Sequence, residues 1–306
     1  MENLKSAGIF RRFHDYAELP TKIASHLPFF ITLAYCFFLK SSIDIKGSVL
    51  FFIAMLLFDL SVTMINNYID CRGSGDDRFF SRRIMLTLII IGVVPSAFIG
   101  LYLSWIYGWA FFLAGVFCFA AGIAYTFGPA PISRSPYGEL VSGLTQGFVL
   151  PFLVTAINAP GLVTVTLDGW NAAVKLDLRG LVMFGLAAVP MVFCVSNIML
   201  ANNIRDMEAD KGKRYTMALH IGRENALRLY AALYALVYLT VIAACALRAI
   251  PLLCLLVLVT AVPVFRNVKR FRGEIRQKPE TFILTVRNFV IILAPYLVCM
   301  FLGALL

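Results

Sequence analysis

The chain has 306 residues, is 60% hydrophobic and only 14% charged, and carries a formal net charge of +10. So apolar a composition excludes an ordinary soluble domain, and long unbroken apolar runs exclude a β-barrel, whose strands alternate. The reading that remains is an all-α polytopic membrane protein, with its basic excess on cytoplasmic loops and not on a nucleic-acid surface.

Residues 1–22 are polar and basic with Phe13 and Tyr16 interspersed, the pattern of an amphipathic helix at the membrane surface. A first span is expected from Ile23 to Leu39, retained because no small-residue cleavage signature accompanies it. Further spans are expected at Val49 to Asn67, Ile84 to Leu103, Tyr107 to Tyr125 and Leu140 to Ile157. A link with few charges, residues 158–179, leads to a sixth span from Leu181 to Asn202 and a seventh from Leu227 to Ala246. A short eighth runs from Ile250 to Val264, and the basic segment Arg266 to Lys278 separates it from a ninth that begins at Phe282. With the N-terminus inside, the inner loops 68–83, 126–139, 203–226 and 265–281 hold most of the Lys and Arg. The outer segments hold few, among them Lys40, Lys46, Lys175 and Arg179.

Two spans end alike. Asn66-Asn67-Tyr68-Ile69-Asp70 closes the second, and Asn202-Asn203-Ile204-Arg205-Asp206 closes the sixth. Asp206 and Asp210 are four apart and Asn202 lies one turn earlier, so on a helix the three share a face. The first copy continues through Gly73 and Gly75 to Asp76 and Asp77. A continuing helix would put Asp70 and Asp77 on one face; the glycines favour a loop that folds Asp76 back toward Asp70. Carboxylates held together repel unless a cation lies between them, and a hard divalent ion such as Mg²⁺ usually arrives with a phosphate-bearing substrate. Matching patches in pseudo-repeat halves, about 1–160 and 180–306, predict one shared site in a single domain spanning 1–306. Repeat halves also occur in secondary transporters.

Other polar residues lie within spans. Asp59, Thr63, Asn66 and Asp70 form a stripe at helical spacing. Asp59 is either a residue of a substrate cavity or a hydrogen bonder between helices, and Gln146 and Asn197 pose the same choice. The seven cysteines form no CxxC or Cys/His cluster, which leaves no basis for a zinc site or a disulfide framework.

Two Mg²⁺ ions between the patches suit a diphosphate, with Lys213, Arg214, Arg205 or Arg72 adding cationic contacts to its oxygens. If the organic part is allylic, loss of diphosphate leaves a carbocation that aromatic faces stabilise and an electron-rich ring traps.

The stretches NNYIDCRGSGDD (Asn66 to Asp77), AYTFGP (Ala124 to Pro129) and NNIRDMEADKGKRYTMALHIG (Asn202 to Gly222) resemble the UbiA superfamily of intramembrane aromatic prenyltransferases over nearly the whole chain. Their pattern is most similar to the branch that prenylates 1,4-dihydroxy-2-naphthoate in menaquinone synthesis. The resemblance implies nine transmembrane helices with the Asp motifs under a cytoplasmic cap in the cell membrane. It also implies Mg²⁺, a polyprenyl diphosphate donor, loss of the acceptor carboxylate as CO₂ and demethylmenaquinol as product; no obligate protein partner is evident in the sequence. Carried over, Asp70 and Asp76 bind one Mg²⁺ with Asn66 assisting, Asp206 and Asp210 bind the other with Asn202 assisting, and Lys213 and Arg205 bind diphosphate. Position 74 is serine, so the last acid of the first motif is Asp76 or Asp77, and Asn67 stands where an acid is often found.

By the same resemblance Lys22 faces the cavity and touches the acceptor carboxylate or the diphosphate, the alternative being a solvated interfacial lysine. Tyr125 orients a phosphate oxygen or shields the cation, or else packs. Glu139 orients the acceptor or pairs with a basic residue. The rivals are another acceptor, such as 4-hydroxybenzoate, homogentisate, a haem or a glyceryl phosphate lipid, and a secondary transporter.

Overall fold

Long apolar runs become helices here because only internal backbone pairing is tolerable in hydrocarbon. The structure, a computed structural model, describes the backbone of residues 8–74 and 79–306, and the side chains of these residues except 72–74. Among the described residues nine helical stretches are long and apolar enough to cross a membrane. Helix α1 (Ile9–Ala17) precedes them, and a 3₁₀ turn (Leu19–Lys22) leads into α2 (Ile23–Phe38). Then come α3 (Ile45–Ser74), α4 (Arg82–Tyr107) and α5 (Trp109–Thr126).

The fifth crossing is broken into α6 (Gly138–Leu144), a π turn (Thr145–Val149) and α7 (Leu150–Asn158). Pro151 has no N–H to give to the turn before it, and a π bulge is one way a helix absorbs that loss. The break also puts Gly147 against α8 (Leu178–Asp210), where an added Cβ would stand 2.5 Å from the Val192 backbone. Gly143 approaches Ser196 in the same way one turn earlier. Small residues let these two helices touch backbone to backbone. The remaining elements are α9 (Met217–Ile221), α10 (Arg223–Ala246), a 3₁₀ stretch (Leu252–Thr260) running into α11 (Ala261–Glu274), and α12 (Ile283–Leu305) behind a 3₁₀ turn (Pro279–Phe282).

Two expectations are corrected, and one segment gains structure that was not foreseen. The helix of the second span runs through Gly73 to Ser74, where a loop was the favoured reading. The eighth crossing continues past Val264 to Glu274, so Arg266, Lys269, Arg270 and Arg272 are carried on a helix and not in a loop. Val264, Val268 and Phe271 recur at helical spacing and are buried, which extends the helix beyond the apolar run. The link after the fifth span holds an antiparallel hairpin, β1 (Val163–Asp168) paired with β2 (Asn171–Leu176).

The largest core cluster joins α2, α8, α10, α11 and α12. Two of its fully buried tyrosines are hydrogen-bonded, Tyr230 with Thr285 at 2.8 Å and Tyr296 to the Ala187 carbonyl at 3.0 Å, while the buried Tyr234 hydroxyl has no hydrogen-bond partner among the described residues. A second cluster lies among α2, α3, α4, α5 and α7. The third packs Tyr16 and Ala17 of α1 against Met64, Cys71, Phe79, Phe80 and Met85, tying the surface helix to the end of α3 that carries the first motif. At the other end of α3, Asp44 accepts from the Gly47 N–H at 2.9 Å and from the Tyr107 hydroxyl, while its own N–H donates to Asn158 at 2.9 Å. One latch thus ties the start of α3 to the ends of α4 and α7.

Candidate active site at the paired asparagine–aspartate motifs

The second motif lies on the last two turns of α8, so Asn202, Asp206 and Asp210 fall on one helix face. Their immediate cation is Arg205. Its Nε and Nη2 donate to the two Asp206 carboxylate oxygens, each at 2.7 Å, and Nη2 also reaches Asn202 Oδ1 at 2.7 Å. The guanidinium lies over the Phe282 ring, 4.8 Å from its centroid. Such a planar fork is held by carboxylate and aromatic face together. Asp210 is buried. One of its carboxylate oxygens meets Arg214 at 3.3 Å; the other is buried with no hydrogen-bond partner among the described residues. Lys213 sits in the turn beyond, its N–H on the Asp210 carbonyl at 2.9 Å and its charge acting on the Asp210 carboxylate.

The first motif lies at the same end of the bundle. Asn66 accepts from Thr126 at the end of α5 at 3.4 Å. Asn67 donates to the Tyr16 carbonyl at 2.9 Å and to Glu18 at 3.3 Å. Glu18 also acts through space on Arg205, so a single carboxylate in the α1–α2 connection lies between the two motifs. Its backbone is left-handed, φ 47°, which turns the chain from α1 into the first span. Asp70 is exposed and engages other groups of the chain. Asp76 and Asp77 lie outside the described residues, as does the side chain of Arg72.

The end of α5 and the start of α6 close the circuit. Glu139 is buried; Asn203 donates to one of its oxygens at 2.8 Å, and the other has no hydrogen-bond partner among the described residues. Tyr125 lies beside Glu139 and Ser142, within reach of the Arg214 charge. Its hydroxyl is 3.5 Å from where a Cβ on Gly138 would stand. Four helix ends, those of α3, α5, α6 and α8, therefore converge on one polar region.

Lys22 belongs to a neighbouring cluster. Its ammonium is buried, not solvated, and donates to the Asp59 carbonyl at 3.1 Å, to an Asp59 carboxylate oxygen at 3.3 Å and to the Thr63 hydroxyl. Ser25 donates to the other Asp59 oxygen at 2.6 Å. Asp59 and Thr63 thus use one face of α3 to neutralise a cation from the entrance of α2, three turns along from Asp70.

Sequence reasoning missed Glu18, Asn203, Ser25 and Thr126. Asn203 and Thr126 lie inside the motif stretches, which give them no role; Ser25 carries no signal of its own, and Glu18-Leu19-Pro20, an acid before a helix-breaking pair, signals a turn at that point.

The donors gathered by the second motif are hard oxygens, from one amide and two carboxylates. One of those oxygens is buried and unpartnered, and a cation is already seated between Asn202 and Asp206. This set fits a hard divalent ion and not a soft one. Among the described residues no group of three or more His, Cys, Asp or Glu encloses a metal by itself.

Comparison with known proteins bears on this arrangement. Residues 27–293 match the UbiA prenyltransferase family. The 1,4-dihydroxy-2-naphthoate octaprenyltransferase of Bacillus subtilis is 28% identical over 215 residues. That alignment covers 65% of this chain and 63% of that enzyme, less than two thirds of its length. The solved apo structure of a UbiA homolog from Aeropyrum pernix shares the fold with a TM-score of 0.64 at 17% identity, covering 89% of this chain and 97% of that one. A UbiA homolog from Archaeoglobus fulgidus, solved bound to GPP and Mg²⁺, gives a TM-score of 0.56 at 14% identity, with 96% and 100% covered.

Proposed function

This chain belongs to the UbiA prenyltransferase family, and on that premise we propose that it transfers a polyprenyl group from its diphosphate to 1,4-dihydroxy-2-naphthoate, releasing diphosphate and CO₂ and giving demethylmenaquinol. The observation that carries the reading is the convergence of two Asn–Asp motifs at one end of the bundle, with Glu18 between them and Arg205, Lys213 and Arg214 around the second. The choice of acceptor is supported by the relative in Bacillus subtilis and by the wording of the motifs. We place this end at the cytoplasmic face, where the basic loops lie and where phosphorylated donors and Mg²⁺ are available.

Asp206 and Asp210, with Asn202, would hold one Mg²⁺, and Asp70 with Asp76 or Asp77, assisted by Asn66, a second. When bound, the metal neutralises charge on the leaving diphosphate. The protein's own groups do the rest. Arg205 exchanges its Asp206 partner for diphosphate oxygens, while Lys213, Arg214 and Arg72 add charge-assisted hydrogen bonds. Cleavage of the allylic C–O bond sends its electron pair to diphosphate. Aromatic faces near the site, Tyr125 among them, shield the carbocation from water. The acceptor ring carbon bearing the carboxylate attacks; the C–C bond to that carboxylate then breaks, CO₂ leaves, and its electron pair restores the aromatic ring. Lys22 would reach the acceptor carboxylate by giving up one of its bonds to Asp59 or Thr63, and Glu139 orients the acceptor hydroxyl.

The test gives purified protein a labelled polyprenyl diphosphate, Mg²⁺ and a panel of 1,4-dihydroxy-2-naphthoate, 4-hydroxybenzoate and homogentisate, with products identified by mass. A prenylated naphthoquinol lacking the carboxyl group is expected, abolished by EDTA and restored by Mg²⁺. Product from 4-hydroxybenzoate alone would transfer the reading to that acceptor. No product from any acceptor, with ligand flux across vesicles, would replace it by a transporter.

A further inference from the structure

The chain contains three tryptophans, and all three are exposed at the end of the bundle opposite the aspartate motifs. Trp105 (88% exposed) lies on the last turn of α4, Trp109 (45%) opens α5, and Trp170, fully exposed, is at the tip of the hairpin. Buried tryptophan is the usual outcome in a water-soluble fold, and tryptophan placed outside the core at the end of a span is the mark of a membrane–water interface.

The hairpin register sorts its side chains cleanly. Val163 faces Leu176, Val165 faces Val174, and Leu167 faces Ala172, so one face is wholly apolar. Thr164 opposite Lys175, Thr166 opposite Ala173, and Asp168 opposite Asn171 put both charges of the hairpin on the other face. On the apolar face Val163 and Val165 are half-buried and, with Tyr107, Trp109, Phe152 and Ala156, line a cavity of about 180 Å³ at the end of α5 and α7. The outer part of that face, Leu167, Val174 and Leu176, is exposed. The inner part of the face shares a cavity wall with Trp109, which belongs with Phe98, Leu101, Trp105 and Ile106 to the exposed apolar side chains that a membrane-spanning fold turns toward lipid on α4 and α5.

We propose that this hairpin is an interfacial membrane anchor. Its apolar face and Trp170 lie in the headgroup–acyl boundary of the leaflet opposite the aspartate motifs, and its Thr, Asp and Lys face points to water. The occupant is phospholipid, because the exposed half of the face extends the lipid-facing belt and carries no charge that a protein partner would complement. The inference stands on the membrane-spanning fold and does not depend on the acceptor.

The test uses full-length protein in phosphatidylcholine–phosphatidylglycerol vesicles. In Trp105→Phe/Trp109→Phe, Trp170 is the single tryptophan, and its emission is read with lipids carrying a nitroxide near the headgroup or near the acyl terminus. Blue-shifted emission is expected, quenched at least about twofold more by the shallow label than by the deep one, as for an interfacial indole. Emission of a hydrated indole, quenched by aqueous iodide and untouched by either lipid label, would overturn the proposal. So would blue-shifted emission insensitive to both labels, which would mean that protein covers the face. Should the double variant fail to fold, Trp170→Phe in the otherwise native chain gives the same answer: the absolute emission removed by the shallow label falls relative to wild type if the proposal holds and is unchanged if it does not.

Discussion

Replacing Asp206 by asparagine separates what this residue does for the fold from what it does for the reaction. The change keeps the side-chain shape and one oxygen that can accept from Arg205, and it removes only the charge. The Asp206–Arg205 pair leaves the two side chains 35% and 30% exposed, and pairs so accessible to solvent contribute about 1 kcal/mol or less. Arg205 also keeps its bond to Asn202 and its seat on Phe282. In a chain of this size a loss of that order lowers the melting temperature by about 3 °C at most. The reaction has more to lose. Without the carboxylate the second motif has one acid, Asp210, to oppose the charge of a metal–diphosphate pair, and Asp210 is already engaged by Arg214. A drop in turnover of about a thousandfold is expected, equivalent to about 4 kcal/mol of transition-state stabilisation. The assay is single-turnover transfer from labelled polyprenyl diphosphate at saturating acceptor, alongside thermal unfolding of the same sample. Glu208→Gln is the control: Glu208 lies two residues away, is 76% exposed and pairs with Arg223, and its loss should leave turnover within about twofold. Asp206→Asn with turnover within tenfold of wild type would refute the assignment of the second motif to the metal, and a large loss of thermal stability would refute the exposed-pair argument.

Three other outcomes follow from the packing. Lys22→Met strands the Asp59 carboxylate with Ser25 as its remaining partner and should cost about 3 kcal/mol, whereas Lys22→Met/Asp59→Leu should recover most of it, since the penalty is an unpaired buried charge; equal instability of single and double variants in thermal unfolding would contradict the ion pair. Gly147→Ala drives a methyl group into the Val192 backbone, and parting α8 from the fifth crossing should cost about 1–3 kcal/mol, read as a lower melting temperature; an unchanged melt would contradict the close approach. Asp44 is held below the usual aspartate value of 3.8, first by the Gly47 N–H and then by the Tyr107 hydroxyl. A lowered folded-state value adds stability above the unfolded value and loses it as pH falls through the folded one. Asp44→Asn should therefore melt below wild type at neutral pH, with the gap closing under acid conditions; a gap independent of pH would show that the charge does not matter.

Sequence alone determined the class of this protein and the local geometry of the second motif. Apolar runs of spanning length leave a backbone one solution in hydrocarbon, so the nine crossings could be read from composition and spacing. Asn202, Asp206 and Asp210 share a face because 3.6 residues make a turn, and that too is local. What the sequence did not determine is everything that depends on which helix end meets which. Lys22 and Asp59 lie 37 residues apart and form an ion pair; Glu139 and Asn203, 64 apart, form a hydrogen bond; Glu18 comes between motifs separated by more than a hundred positions. No periodicity carries those pairings, since each is chosen by how the helices pack. The helical run of α11 was misjudged, and the hairpin in the link after the fifth crossing went unread, for the opposite reason. Their apolar residues are too few to register as a span, and they become ordered only because a neighbouring helix end, or the core around Phe271, is there to cover them.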